Sequence, residues 1–211
     1  MKRPACKPWH QAVLGLVLAA LLALPITRHG LEASMWSHML LQFPLWMLAG
    51  ALLAAALPPR LRRAIASCNA HGITGLVWVG VVLSVLMVPR VLDLALRDMG
   101  VELAKCAALL LAGALLRLSW RPAGLVLQGF FLGMLLPMMA VVGQLYIDSP
   151  LRLCNAYLLD DQERLGRWLI GLAAVLALAW LAHVGWRLVR REEVMLMTAE
   201  PQAPEYRRNS Q

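Results

Sequence analysis

The sequence predicts an all-α fold: a polytopic membrane helix bundle of about six transmembrane helices, with both termini on the cytoplasmic side. Three observations predict it. Apolar residues make up 60% of the chain, mean hydropathy is +0.65, and charged residues are only 15%, well below the roughly 25% of a soluble domain. Apolar runs recur along the chain at about 20 residues, the length that carries a helix across a hydrocarbon core. These runs are continuous and do not alternate with a period of two, which excludes a closed barrel, the one other spanning structure.

The runs cover residues 11–27, 38–57, 72–89, 102–119, 123–146 and 166–189. Between them fall turn and charge signals: Arg28-His29-Gly30, Pro58-Pro59-Arg60, Pro89-Arg90, Arg121-Pro122, and the longer stretch 147–165. Residues 1–197 read as one transmembrane helical domain. Residues 198–211 are polar, contain two prolines, and read as a disordered cytoplasmic tail.

Charge sets the orientation. Thirteen basic residues, among them Lys2, Arg3, Arg60, Arg62, Arg117 and Arg190, fall on one side of a six-span arrangement. The other side collects six arginines against eight acids. The first side is therefore cytoplasmic. The net charge of +8 is thereby assigned to topology and the lipid bilayer, not to nucleic acid. Lys105 is left over, one turn inside the fourth run, where its long stem can snorkel. Residues 2–27 also have the charged, apolar, small-residue order of a secretory signal, although no A-x-A site follows.

Unusual residues collect at the outer, periplasmic ends of the runs. Met35, His38 and Met39 stand at spacings of three and four, which share one face of a helix. Imidazole with two thioethers is a donor set suited to Cu(I). The alternative is an interfacial histidine beside methionines that only pack. As a boundary residue facing headgroups and water, His38 would contribute little to the core. Met134, Met138 and Met139 form a second group, better explained by packing. Gly129 and Gly133 make a G-x-x-x-G pattern that permits close helix approach.

In the segment YLLDDQERLGRWLIG, Asp160 suits a helix N-cap with Glu163 three residues on. That explanation leaves Asp161, Gln162 and Gly166 without a role. The four cysteines form no C-x-x-C, and a disulfide between Cys106 and Cys154 is compatible with an oxidising periplasm. There is no phosphate-binding loop, dinucleotide glycine pattern, H-E-x-x-H or G-x-S-x-G. Nothing in these patterns points to an enzyme.

Two segments resemble the CtaG-type membrane proteins, assembly factors of cytochrome c oxidase. SHMLLQFPLWMLAG resembles that family's His-Met-Leu-Leu helix, and DDQERLGRWLI resembles the Asp-Gln, Gly, apolar entry of a later helix. The matching positions are His38, Met39, Asp161, Gln162 and Gly166. The resemblance implies a polytopic factor of the bacterial inner membrane that supplies or inserts copper during maturation of haem–copper oxidases, with oxidase subunits or a periplasmic copper chaperone as partners. It also implies that Asp161 and Gln162 lie near His38 and orient its ring. Two departures stand out: Ser34 occupies the place of a second family histidine, and Pro44 alone replaces a double proline. A copper-independent scaffold or accessory subunit of a respiratory complex is the competing reading.

Overall fold

The computed structural model describes residues 8–199, and every regular element among them is helical. The chain divides into two compact units, residues up to Ala174 and residues from Val175 on. Among the described residues the second unit consists of the later part of one long helix, where the Arg190 guanidinium lies over the Trp186 ring at 4.9 Å.

The first unit begins with α1 (Pro8–Ala23) and α2 (Pro25–Glu32), which meet at 71°. Pro25 causes the break, because proline disfavours helix in the residue before it and suits the first helical position. Next comes a continuous span, Met35–Ala56. It comprises α3 (Met35–Ser37), a π-turn over His38–Gln42, α4 (Phe43–Leu53) and a closing 3₁₀ turn. Pro44 stands two residues after the end of the π-turn. It cannot donate to the carbonyl four residues back and its ring crowds that carbonyl, so a widened turn relieves the clash.

The basic helix α5 (Pro59–Cys68) has no buried residue. It bends by 69° into the segment that carries α6 (Ile73–Leu86). His71 and Gly72, at φ 54° and 76°, make that corner. Asn69 fixes it by donating to Ser119 Oγ at 2.8 Å and accepting from the Gly75 amide at 2.9 Å. Then follow α7 (Pro89–Arg97), α8 (Met99–Trp120), α9 (Gly124–Asp148, running through Pro137) and α10 (Leu159–Ala199). The Asp98 carboxylate caps α8 by accepting from the Gly100 and Val101 amides.

Among the described residues, four helices are long and apolar enough to cross a membrane: Met35–Ala56, Met99–Trp120, Gly124–Asp148 and Leu159–Glu193. Counting each bent pair, α1 with α2 and α5 with α6, as one span gives six. Several expected connections are in fact helices. Arg28-His29-Gly30 lies inside α2, while Pro59-Arg60 and Pro89-Arg90 open α5 and α7. Each proline ends one helix and begins another. The last helix starts at Leu159, so Asp160 sits with Asp161 in its first turn and is not the cap. There both carboxylates favour the positive end of the helix dipole. The tail beyond Ala199 lies outside the described residues.

Glycines set the closest helix contacts. A Cβ on Gly50 would fall on the Leu110 carbonyl, and one on Gly113 would fall on the Met47 carbonyl, so α4 and α8 touch backbone to backbone. Gly143 and Gly166 do the same for α9 and α10, each facing the other's carbonyl oxygen. Gly166, unexplained by capping, is therefore a packing position. The expected contact through Gly129 and Gly133 is not made at Gly133, where a Cβ would meet nothing within 4 Å.

This contrast is testable. Gly113→Val should destabilise the folded protein by at least the ~1–3 kcal/mol typical of overpacking, seen as a lower unfolding midpoint in detergent. Gly133→Ala should leave the midpoint unchanged or slightly raised, because it removes a flexible glycine from a helix. Equal losses from both substitutions would refute the assignment of the α4–α8 contact.

Candidate functional site

The site forms where α2 ends, the π-turn begins and α8 begins. Four charged side chains meet there. Arg28 Nε lies 3.0 Å from Glu32 Oε1 and 3.9 Å from Glu102 Oε1. Lys105 Nζ lies 2.6 Å from Glu102 Oε2 and 3.9 Å from Glu32 Oε1. Two cations thus balance two anions. The Lys105, Glu102 and Glu32 side chains are at most 8% exposed, and Arg28 at 23% is where the group reaches outward. Glu102 Oε2 has Lys105 as its one partner among the described residues.

His38 is wholly buried at the centre of this group. Lys105 Nζ donates to its Nε2 at 2.9 Å, and its Nδ1 lies 2.8 Å from the Tyr157 hydroxyl. An ammonium can only donate, so Nε2 must accept and the ring proton resides on Nδ1. That proton goes to the Tyr157 oxygen, and the Tyr157 hydroxyl donates to the Glu32 carbonyl at 3.0 Å. Every donor in the chain Lys105–His38–Tyr157–Glu32 then has an acceptor. Gln42 completes the group, accepting from Lys105 at 3.4 Å and donating to Glu32 at 3.5 Å. Phe43 closes it on the apolar side, edge-on to His38 with ring centroids 5.5 Å apart.

Two expectations are corrected here. His38 does not face headgroups and water, and Lys105 does not snorkel, because each is the other's partner. A buried lysine in an apolar helix is costly unless paired, and Glu102, three residues earlier on α8, pairs it. That spacing of opposite charges in an apolar run was the available signal. The i, i+4 pair Arg28–Glu32 is another, masked because the segment reads as a loop.

The other candidate residues are distributed as follows. Met35 and Met39 are buried, as is His38, with the π-turn beginning at His38. Gln162 is buried, and it serves the backbone. It accepts from the Leu153 amide at 2.9 Å and donates to the Tyr146 carbonyl at 3.1 Å. The segment's link to His38 is made four residues before Asp161, by Tyr157. Met139 is buried, Met138 accepts from Ser84 at 3.2 Å, and Met134 is exposed. Cys106 and Cys154 are free thiols, not a disulfide. Cys106 donates to Glu102, and Cys154 donates to Asp93.

The donor set at His38 is a poor fit for copper as it stands. One ring nitrogen carries the proton and the lone pair of the other is taken by a cation, so a metal ion must first displace Lys105. Among the described residues no three His, Cys, Asp or Glu side chains are grouped to hold a metal ion. Comparison with known protein families, with curated proteins and with solved structures gave no match to this chain.

Asp93 on α7 anchors the loop that delivers Tyr157. Its carboxylate accepts from Cys154 Sγ, the Asn155 and Ala156 amides and Asn155 Nδ2, at 2.9 to 3.1 Å. Burial alone would push this carboxyl up, but the four hydrogen bonds outweigh it and hold Asp93 below the usual carboxylate range. Burial and the Asp93 carboxylate push the Cys154 thiol up to about 12, so it stays a donor.

Two outcomes follow from this geometry. Lys105→Met should destabilise by roughly 3–5 kcal/mol, the cost of leaving a buried partner charge uncompensated. Adding Glu102→Met should recover most of that loss, because Arg28 and Glu32 remain balanced. Denaturant unfolding in detergent reads both, and a double variant no more stable than the single would disprove the pairing.

For Asp93, the folded value lies below the ordinary 3.8. Its contribution is therefore complete above that value and is lost as pH falls through the lowered one. Wild type should unfold at a higher temperature than Asp93→Asn above about pH 5, with the gap closing towards pH 2. A gap that widens in acid would contradict the assignment.

Proposed function

We propose that this protein is a non-enzymatic assembly or accessory factor of the bacterial inner membrane, CtaG-like in its two motifs, that serves a haem–copper oxidase without a resident copper ion. It crosses the membrane six times with both termini inside, and the His38 group lies towards the periplasmic face. The observation that carries the copper-independent form is the 2.9 Å contact from Lys105 Nζ to His38 Nε2. That contact places a positive charge on the one lone pair a Cu(I) ion would need. In this reading His38 is the hub of an ionic network that holds the α2, π-turn, α8 and Tyr157 segments in a fixed arrangement for a protein partner.

Copper delivery remains the second reading, favoured by the buried thioethers of Met35 and Met39 on either side of His38. It requires Lys105 to leave the imidazole when the metal arrives, and Ser34 offers no second imidazole to replace it.

Anaerobic loading of the purified protein with Cu(I), combined with a search for co-purifying oxidase subunits, separates the two. Wild type should retain no stoichiometric copper while oxidase subunits co-purify. Lys105→Gln combined with Glu102→Gln removes the competing cation together with the buried carboxylate it neutralises, and it should raise copper retention if the ammonium is what blocks the ring. Stoichiometric copper in wild type would overturn the copper-independent form and favour delivery. Absence of oxidase subunits under both metal-free and loaded conditions would remove the oxidase from the proposal. His38→Ala is a poor probe by itself, since it leaves Lys105 and Tyr157 without their buried partner.

A further inference from the structure

A pocket of about 250 Å³ lies between α7 and the loop that follows α9, lined by Arg90, Asp93, Leu94, Arg97, Leu153 and Asn155. It is separate from the His38 group. Positions 90, 93, 94 and 97 are three and four residues apart, so they share one face of α7. Its volume falls below the range of drug-sized ligand sites and suits a small polar group.

Both arginines are exposed, and neither makes a hydrogen bond or ion pair among the described residues. The acid between them is already occupied. Both Asp93 oxygens accept from the Cys154–Ala156 segment, so that carboxylate is held by the protein and is not turned to either guanidinium. Counting its charge, the pocket wall keeps a net positive charge from two arginines against one carboxylate. Asn155 Nδ2 gives one proton to Asp93 and retains a second for a ligand, since an amide carries two.

Guanidinium is a planar fork of donors matched to oxyanions, phosphate above all. Arg90 and Arg97 are seven residues apart, roughly 10 Å along the helix axis. They can therefore reach a single tetrahedral anion from two sides. The location also bears on the ligand. α7 leads directly into α8, which is long and apolar enough to cross a membrane, so α7 stands at the level where spans end and headgroups lie. Leu94, 48% exposed beside the arginines, offers an apolar surface at the pocket edge. Basic pockets beside spanning helices are a known way of holding phospholipid headgroups.

We propose that the pocket between Arg90 and Arg97 binds a phosphate anion, either the phosphodiester of a membrane lipid headgroup or free phosphate. Arg90 and Arg97 grip its oxygens, Asn155 donates from the loop side, and Asp93 fixes the loop without touching the ligand.

The full-length protein in neutral detergent is titrated with short-chain phosphatidylglycerol, short-chain diacylglycerol and inorganic phosphate, with thermal stabilisation read as binding. Phosphatidylglycerol should stabilise where diacylglycerol does not. Stabilisation by inorganic phosphate as well identifies the free anion as sufficient, whereas its failure beside phosphatidylglycerol identifies the lipid headgroup. Arg90→Gln and Arg97→Gln should each weaken the effective probe about tenfold, a fold-change that corresponds to about 1.4 kcal/mol. Neither variant removes a polar contact, so folding is not at risk. Leu94→Glu should weaken binding similarly by charge alone. Arg121→Gln, an exposed arginine at the other end of α8, should change nothing. If no phosphate-bearing probe stabilises more than diacylglycerol, or if Arg121→Gln weakens binding as much as Arg90→Gln, the proposal fails.

Discussion

The buried ammonium of Lys105 is the constraint around which this end of the bundle is organised. An unpaired charge inside an apolar helix array is strongly destabilising, so its partners must be brought to it from wherever they lie in the sequence. Glu102 comes from the same helix, Glu32 with Arg28 from α2, and His38 and Gln42 from the π-turn. Tyr157 then ties the last loop to the same point through the second ring nitrogen of His38. One charge thereby fixes the relative placement of four chain segments.

Backbone irregularity makes that placement possible. The π-turn over His38–Gln42 precedes Pro44, and the residues at its two ends, His38 and Gln42, are both buried in the interior. Below it, Gly50 and Gly113 let α4 and α8 close to backbone contact, which brings the first turns of both helices within reach of one another. A wider separation would leave Lys105 short of His38. Close packing in one part of the helix pair thus sets the hydrogen-bond distances in another.

Loop anchoring follows the same economy. The segment after α9 has no regular structure, yet its amides at Asn155 and Ala156 are satisfied by one carboxylate, Asp93. With that acid committed to the loop, the flanking arginines of α7 leave the pocket wall net positive. The same residue that positions Tyr157 for the buried group leaves Arg90 and Arg97 available to an anion.

Composition and hydropathy determined that the chain is helical and carries several helices able to cross a membrane, because burying a backbone in lipid demands continuous apolar runs. The prolines at 59 and 89 marked helix boundaries, although they opened short helices where turns were expected, since proline suits a helix start as well as it ends one. Pro25 instead broke the first run, 11–27, which reads as continuous. His38 was legible as unusual, but its surroundings were not. Its partners stand 67 and 119 residues away, and no local spacing encodes which of several polar residues at one end of a bundle will meet. Likewise Gly133 of the G-x-x-x-G pattern faces open space, while close backbone contacts use Gly50, Gly113, Gly143 and Gly166. Helix formation is decided by short-range hydrogen bonds and hydropathy, so the sequence alone could specify it. Which helix faces touch depends on the pairing of a buried charge and the fit of whole surfaces, and those exist only once the chain has folded.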